Sequence, residues 1–145
     1  MRLPVLRRKR LAATERYPSP APARALHRRM DQPPAAIDIA AFDQVEVRVG
    51  TIIDAQAFAE ARKPSIKLWI DFGGALGVRQ SSAQITAHYV PDRLIGRQVV
   101  AVVNLAPRCV AGFESQVLVL GLPDENNEVV LLRPDIKVPD GGRMY

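Results

Sequence analysis

Two short apolar runs, residues 99–103 and 117–120, stand at the centre of the chain within QVVAVVNLAPRCVAGFESQVLVLGL, residues 98–122. Each is rich in β-branched residues and too short for a free-standing helix, so each reads as a strand buried on both faces. Between them lie Asn104, Pro107, Arg108, Gly112, Glu114, Ser115 and Gln116. Polar residues and turn formers gathered between core strands mark either a loop that presents function or a long hairpin connection. Upstream, residues 45–49 alternate strictly, as a half-buried strand does. Gly50-Thr51 then disturbs the phase, and alternation blurs through Ile52, Ile53, Ala55, Ala57 and Phe58. A long strand with a bulge or sharp coil at its glycine is expected. Residues 65–71 alternate again, with Ile66, Leu68 and Ile70 inward and Lys67, Trp69 and Asp71 outward. Residues 78–84, VRQSSAQ, make a third strand with a polar end. In residues 85–95, Pro91 divides two short helical pieces and Gly96 stops them. An acidic turn, 124–128, leads to an apolar strand at 129–132. Pro134, Pro139 and Gly141-Gly142 keep the C-terminal segment irregular.

The order is a long coiled strand, two more strands, a short helix and two further strands. That is the layout of the OB-fold: an all-β, five-stranded barrel with a helix between strands 3 and 4, here with irregular terminal segments. At its entrance, Asp38 stands as N-cap of a short helical turn. Ile37, Ile39 and Phe42 there form an apolar patch with little of its own to pack against, either a lid on the barrel end or a contact across a dimer interface.

Composition sharpens this. The chain has 145 residues, enough for one domain with a real core, and 48% are hydrophobic, so it is not disordered as a whole. One cysteine, Cys109, permits no internal disulfide and points to a reducing cytoplasm. With two histidines, His27 and His88, the chain cannot build a standard structural zinc site, and no cofactor is implied. The net charge of +5 is unevenly spread. Residues 1–29 hold nine positive side chains against Glu15, a charge of +8; residues 30–145 hold eleven against fourteen negatives, or −3. The prolines at 18, 20 and 22 prevent a helix in this arm, and no apolar stretch follows its arginines to make a secretory signal. The arm, residues 1–36 with its Pro33-Pro34 linker, is expected to be disordered. It reads as a tether for nucleic acid or an acidic partner, as a transit peptide or, the favoured reading, as sequence upstream of a working start at Met30. Residues 37–145 form the domain.

Gln80, Ser81 and Ser82 suit hydrogen bonds to backbone, sugar or base edges. Trp69, the single tryptophan, falls on the polar phase. It is either an ordinary cross-strand residue or a stacking platform. Ser81, His88 and Asp92 can be written as a triad, but the serine and histidine have better local explanations as strand and helix residues. No phosphate-binding glycine loop is present. An enzyme is not expected.

Several blocks, in order, carry a resemblance: Val47-Arg48-Val49-Gly50-Thr51-Ile52; Lys67-Leu68 with Ile70-Asp71-Phe72-Gly73; Gln80-Ser81-Ser82-Ala83-Gln84-Ile85-Thr86; Val102-Val103-Asn104-Leu105; Pro107-Arg108; Ala111-Gly112-Phe113; and Glu114-Ser115-Gln116-Val117-Leu118-Val119-Leu120. Over about residues 37–145 the chain resembles the stand-alone tRNA-binding-domain proteins, and within them the CsaA-type export chaperones. The resemblance implies a cytoplasmic OB-fold homodimer whose terminal segments meet across the axis, which places Ile37, Ile39 and Phe42 there. It also implies two binding activities, for tRNA and for unfolded or export-bound polypeptide, with the export machinery as a further partner. Carried over residue by residue, Arg48, Lys67 and Arg108 would meet phosphates or peptide carboxylates. Gln80, Ser81, Ser82, Asn104, Ser115 and Gln116 would supply hydrogen bonds.

Overall fold

A computed structural model describes residues 33–145. The basic arm's first 32 residues, and with them the expectations of disorder and of a start at Met30, lie outside the described residues. Residues 33–37 have no regular structure and are exposed. From Asp38 onward the chain forms one unit.

That unit opens with a short helix, α1 (Ile39–Asp43), of which no residue is buried. Asp38 holds the N-cap position with extended backbone, and its carbonyl, not its side chain, accepts from Ala41 and Phe42. Three strands follow: β1 (Val47–Ala57), β2 (Ile66–Asp71) and β3 (Val78–Ala83). The segment read as two helical pieces is mostly turns, with one 3-10 turn at Pro91–Arg93 and proline at its start. Eleven residues split by a proline are too few to propagate an α-helix. Then come β4 (Gln98–Val102), the hairpin β5 (Arg108–Val110) and β6 (Phe113–Ser115), a short β7 (Leu118–Val119), and the hairpin β8 (Gly121–Pro123) and β9 (Val129–Leu131).

The main sheet runs β3-β2-β1-β4-β7, all neighbours antiparallel. The long strand serves both halves: Val47–Thr51 pairs with β4, and Thr51–Ala57 with β2. Its other half-edge is covered by the C-terminal segment, where Gly141 and Met144 donate to Val49 and Val47 and Val49 donates to Gly142. Gly141 has φ +84, and a Cβ there would lie 2.5 Å from the Phe72 carbonyl, so only glycine lets this segment close. Bonds from Gln116 to Gln80, and from Ser82 to Ser115, join β3 to the far side and nearly close the barrel. This is the expected five-stranded OB-fold.

Two local expectations shift. The bulge falls at Ile53, where the register slips between Ile52 and Asp54, and not at Gly50. Gly50 is needed for space: a Cβ there would sit 2.7 Å from Ile70 Cγ2 and 2.8 Å from Phe72 Cδ1. The run at 117–120 is not buried on both faces. Only Val117 is fully enclosed, and Leu118 is 51% exposed. The core is mostly aliphatic, with Ile52, Ile66, Leu68, Ile70, Ile85, Leu94, Val99 and Leu131 packed with Phe72; Phe58 is buried as well, and Tyr89 packs against the cluster. The alternation of β2 holds, with Ile66, Leu68 and Ile70 inside.

Candidate binding face

The outward side chains of β2 follow from its period of two. Lys67 and Trp69 point away from the core because Ile66, Leu68 and Ile70 point into it. Register sets their neighbours: Gln56 and Asp54 on β1, Ser82 and Gln80 on β3. The polar loop of the sequence folds into the β5–β6 hairpin, which joins this face. Its turn is Ala111-Gly112, both with positive φ (44° and 80°), the two-residue geometry that matches strand twist. Ala111 accepts about 1–2 kcal/mol of strain to make it.

The hairpin brings aromatic surface. Phe113 lies edge-on to Phe58 at 5.5 Å and to Trp69 at 5.8 Å. Lys67 Nζ sits over the Phe58 ring at 4.5 Å from its centroid, and 5.4 Å from that of Phe113. Rings attract the ammonium and fix its stem. The Glu60 carboxylate is 3.8 Å away but two-thirds exposed, so it neutralises Lys67 weakly. Phe58 opens the β1–β2 loop, which carries exposed Arg62 and Lys63.

A transverse row emerges. Lys67 is opposite Ser82; the Ser82 N–H donates to Ser115 Oγ at 3.0 Å; Ser115 is opposite Arg108. Lys67 and Arg108 thus stand at the two ends of this row. Arg108 is exposed and makes no ion pair among the described residues.

Other candidate residues are already engaged. Ser81 is 1% exposed, and its hydroxyl donates to the Val117 carbonyl at 2.9 Å. The Gln80 side chain donates to the Glu114 carbonyl, and its N–H donates to Gln116 Oε1. Asn104 bridges the Glu46 N–H and the Gln44 carbonyl, locking the entrance to β1. Arg48 is paired with Glu46 and donates to the Gly141 carbonyl at 2.8 Å. It lines a cavity of about 270 Å³ with Phe72, Gly73, Asp140 and Gly141, which shares no lining residue with the transverse row. The structure therefore brings Lys67, Ser82, Ser115 and Arg108 together, while the side chains of Arg48, Ser81 and Asn104 make hydrogen bonds within the domain. Ile37 and Ile39 are each 73% exposed, and Phe42 is half-buried.

No hydrogen bond joins Ser81, His88 and Asp92. His88 Nε2 lies 2.7 Å from Asp124 Oδ2 instead. The Asp124 carboxyl is held below the usual aspartate value, first by the Glu128 N–H and then by His88. Among the described residues no cluster of three metal-ligating side chains occurs, and no helix is long and apolar enough to cross a membrane.

This is the face, strands 2 and 3 with the loops after strands 1 and 4, through which OB-folds bind oligonucleotides. Residues 47–143 match the family "Putative tRNA binding domain". The chain belongs to the tRNA-binding-domain family. Over 77% of its length this tRNA-binding-domain chain is 50% identical to the chaperone CsaA of Bacillus anthracis strain Ames, covering 100% of that structure at a TM-score of 0.71. The CsaA chaperone of Picrophilus torridus follows at 43% identity, covering 76% of this chain and 100% of that one, TM-score 0.70. The methionine–tRNA ligase of Methanococcus aeolicus is 40% identical over 105 residues, 72% of this chain. The chain spans only 15% of that ligase.

Of the aromatic trio, Trp69 was singled out from the sequence, whereas Phe58 and Phe113 were not. Phe58 sat where the alternation blurs, and Phe113 lay inside a turn-rich stretch. The outward phase of Trp69 was the one available signal.

Proposed function

We propose that this protein is a chaperone-like binding module that holds unfolded or export-bound polypeptide and also binds tRNA, acting in the cytoplasm as a homodimer. The observation that supports this reading most is the half-open aromatic surface of Trp69 and Phe113, flanked by Lys67 and Arg108. Apolar area suits an extended peptide, and the two cations suit phosphates. Residues 37–145 carry the activity, and the arm is dispensable. The likeness to a methionine–tRNA ligase favours a second reading, a dedicated tRNA-binding accessory of translation.

Anisotropy with labelled tRNA and with a labelled unfolded peptide, across a salt series, tests both. Phosphate contacts make log K fall with log salt by ~0.7–0.9 per contact, whereas an apolar groove is nearly indifferent. Lys67→Ala and Arg108→Ala should each flatten the tRNA slope by about one contact. Wild-type slopes in both variants would move the site elsewhere. If peptide binding is absent while tRNA binding is salt-steep, the second reading stands. If tRNA binding disappears in a chain starting at Met30, the arm and not the barrel holds the RNA.

A further inference from the structure

Trp69 has features that its place in the sheet does not use. It is half-buried on the outward side of β2, and its indole N–H makes no hydrogen bond among the described residues. Phe113, carried on the hairpin, packs against it in a T-shaped pair at 5.8 Å and limits its rotamers. Two positions along the strand, Lys67 is pinned over the rings of Phe58 and Phe113. A fixed aromatic surface, an unpaired donor beside it and a fixed cation one side-chain step away are the parts that single-stranded nucleic acid requires. Every base has a π-face, and its phosphate follows at short range.

We infer that Trp69 is a stacking platform for an unpaired nucleobase, with Lys67 taking the adjoining phosphate. The ligand of this face is then a single-stranded stretch of RNA, such as a loop or end of a folded RNA, and not a duplex. This rests on the tRNA-binding part of the proposed function and adds which part of the RNA is held and by what. RNA helices hide their bases, so sequence-tolerant stacking selects unpaired nucleotides. A peptide occupant would meet Lys67 less usefully, since an extended polypeptide offers no regular anion next to an aromatic group.

Trp69 is the only tryptophan of the full chain, so intrinsic emission reports on this site alone. The full-length protein is titrated with oligoadenylate while tryptophan emission is followed, and labelled oligoadenylate anisotropy is read in parallel. The expected result is quenching that tracks the anisotropy. Trp69→Val, which keeps a strand-forming residue, should weaken binding about 5- to 150-fold, the range for one lost stacking partner. The loss should be equal at every salt, with the log–log slope unchanged, because no phosphate contact is removed. Trp69→Phe should retain most of the affinity. Anisotropy showing binding with unmoved emission, or Trp69→Val binding as wild type, overturns the platform and leaves RNA binding standing. No binding in either readout overturns the platform; labelled tRNA run in parallel then decides the RNA part of the proposed function, which stands if tRNA still binds and falls if it does not. Quenching by an aromatic peptide but not by oligoadenylate assigns the platform to polypeptide and also overturns the inference.

Discussion

Gln80 and Gln116 hold each other twice: the Gln80 N–H donates to Gln116 Oε1 at 3.1 Å, and the Gln116 N–H returns a bond to the Gln80 carbonyl at 2.8 Å. One residue's side chain and backbone thus stand in for a partner strand along the β3 edge. Gln116→Ala leaves the Gln80 N–H unpaired in a half-buried seam, and should cost about 1–2 kcal/mol. A lower urea midpoint with an unchanged m-value is the expected readout. Wild-type stability in this variant would show that the Gln116 side-chain bond contributes nothing.

Gly50→Ala makes the opposite kind of fault. Its new methyl must displace Ile70 and Phe72, both fully enclosed. Overpacking of this sort costs about 1–3 kcal/mol. Thermal unfolding should show a clear loss, larger for Gly50→Val. Unaltered melting in both would mean that β1 and β2 separate more freely than their contacts indicate.

Acid sensitivity should trace to Asp124. Its carboxyl also accepts the Asn126 and Glu128 N–H groups and so shapes the β8–β9 turn. With its folded value depressed below 3.8, the unfolded chain takes up the proton first. The stabilisation is complete above the unfolded value and is lost as pH falls through the folded one. Asp124→Asn should therefore be less stable than wild type at neutral pH and flatter in stability below about pH 4. Parallel acid limbs for the two proteins would contradict this.

The proposed homodimer places α1 at its centre, where Ile39 is 73% exposed and no residue is buried. Phe42→Asp should shift the light-scattering mass from that of a dimer to that of the 16.0 kDa chain. A dimeric Phe42→Asp would move the interface off this helix. A monomeric wild type would remove the dimer from the proposal.

The barrel was legible because its core strands alternate or run apolar over several residues, which leaves few other solutions. Lys67 and Trp69 were legible for the same reason, as the odd phase of Ile66, Leu68 and Ile70. The 3-10 turn at Pro91–Arg93 was overread as helix, since local propensity counts residues but not the bonds a proline removes. Which candidate side chains the fold encloses and which it leaves open was not separable. Ser81 and Ser82 differ by one position, yet one faces the core and the other the open side. Arg48 was assigned to phosphates or carboxylates, yet it bonds Glu46 only two residues before it and the Gly141 carbonyl 93 residues after it, and the second of these could not be read locally. Long-range pairing of this kind leaves no local pattern to read.

The pairing of residues 141–144 against β1 has a consequence for synthesis. Val47 and Val49 emerge from the ribosome nearly one hundred residues before the segment that caps their edge. Contacts so distant in sequence are slow to form. Through that interval the nascent domain carries a bare strand edge, the kind of surface that pairs with other chains. A protein proposed to hold unfolded polypeptides is itself, until residues 141–144 arrive, one of them.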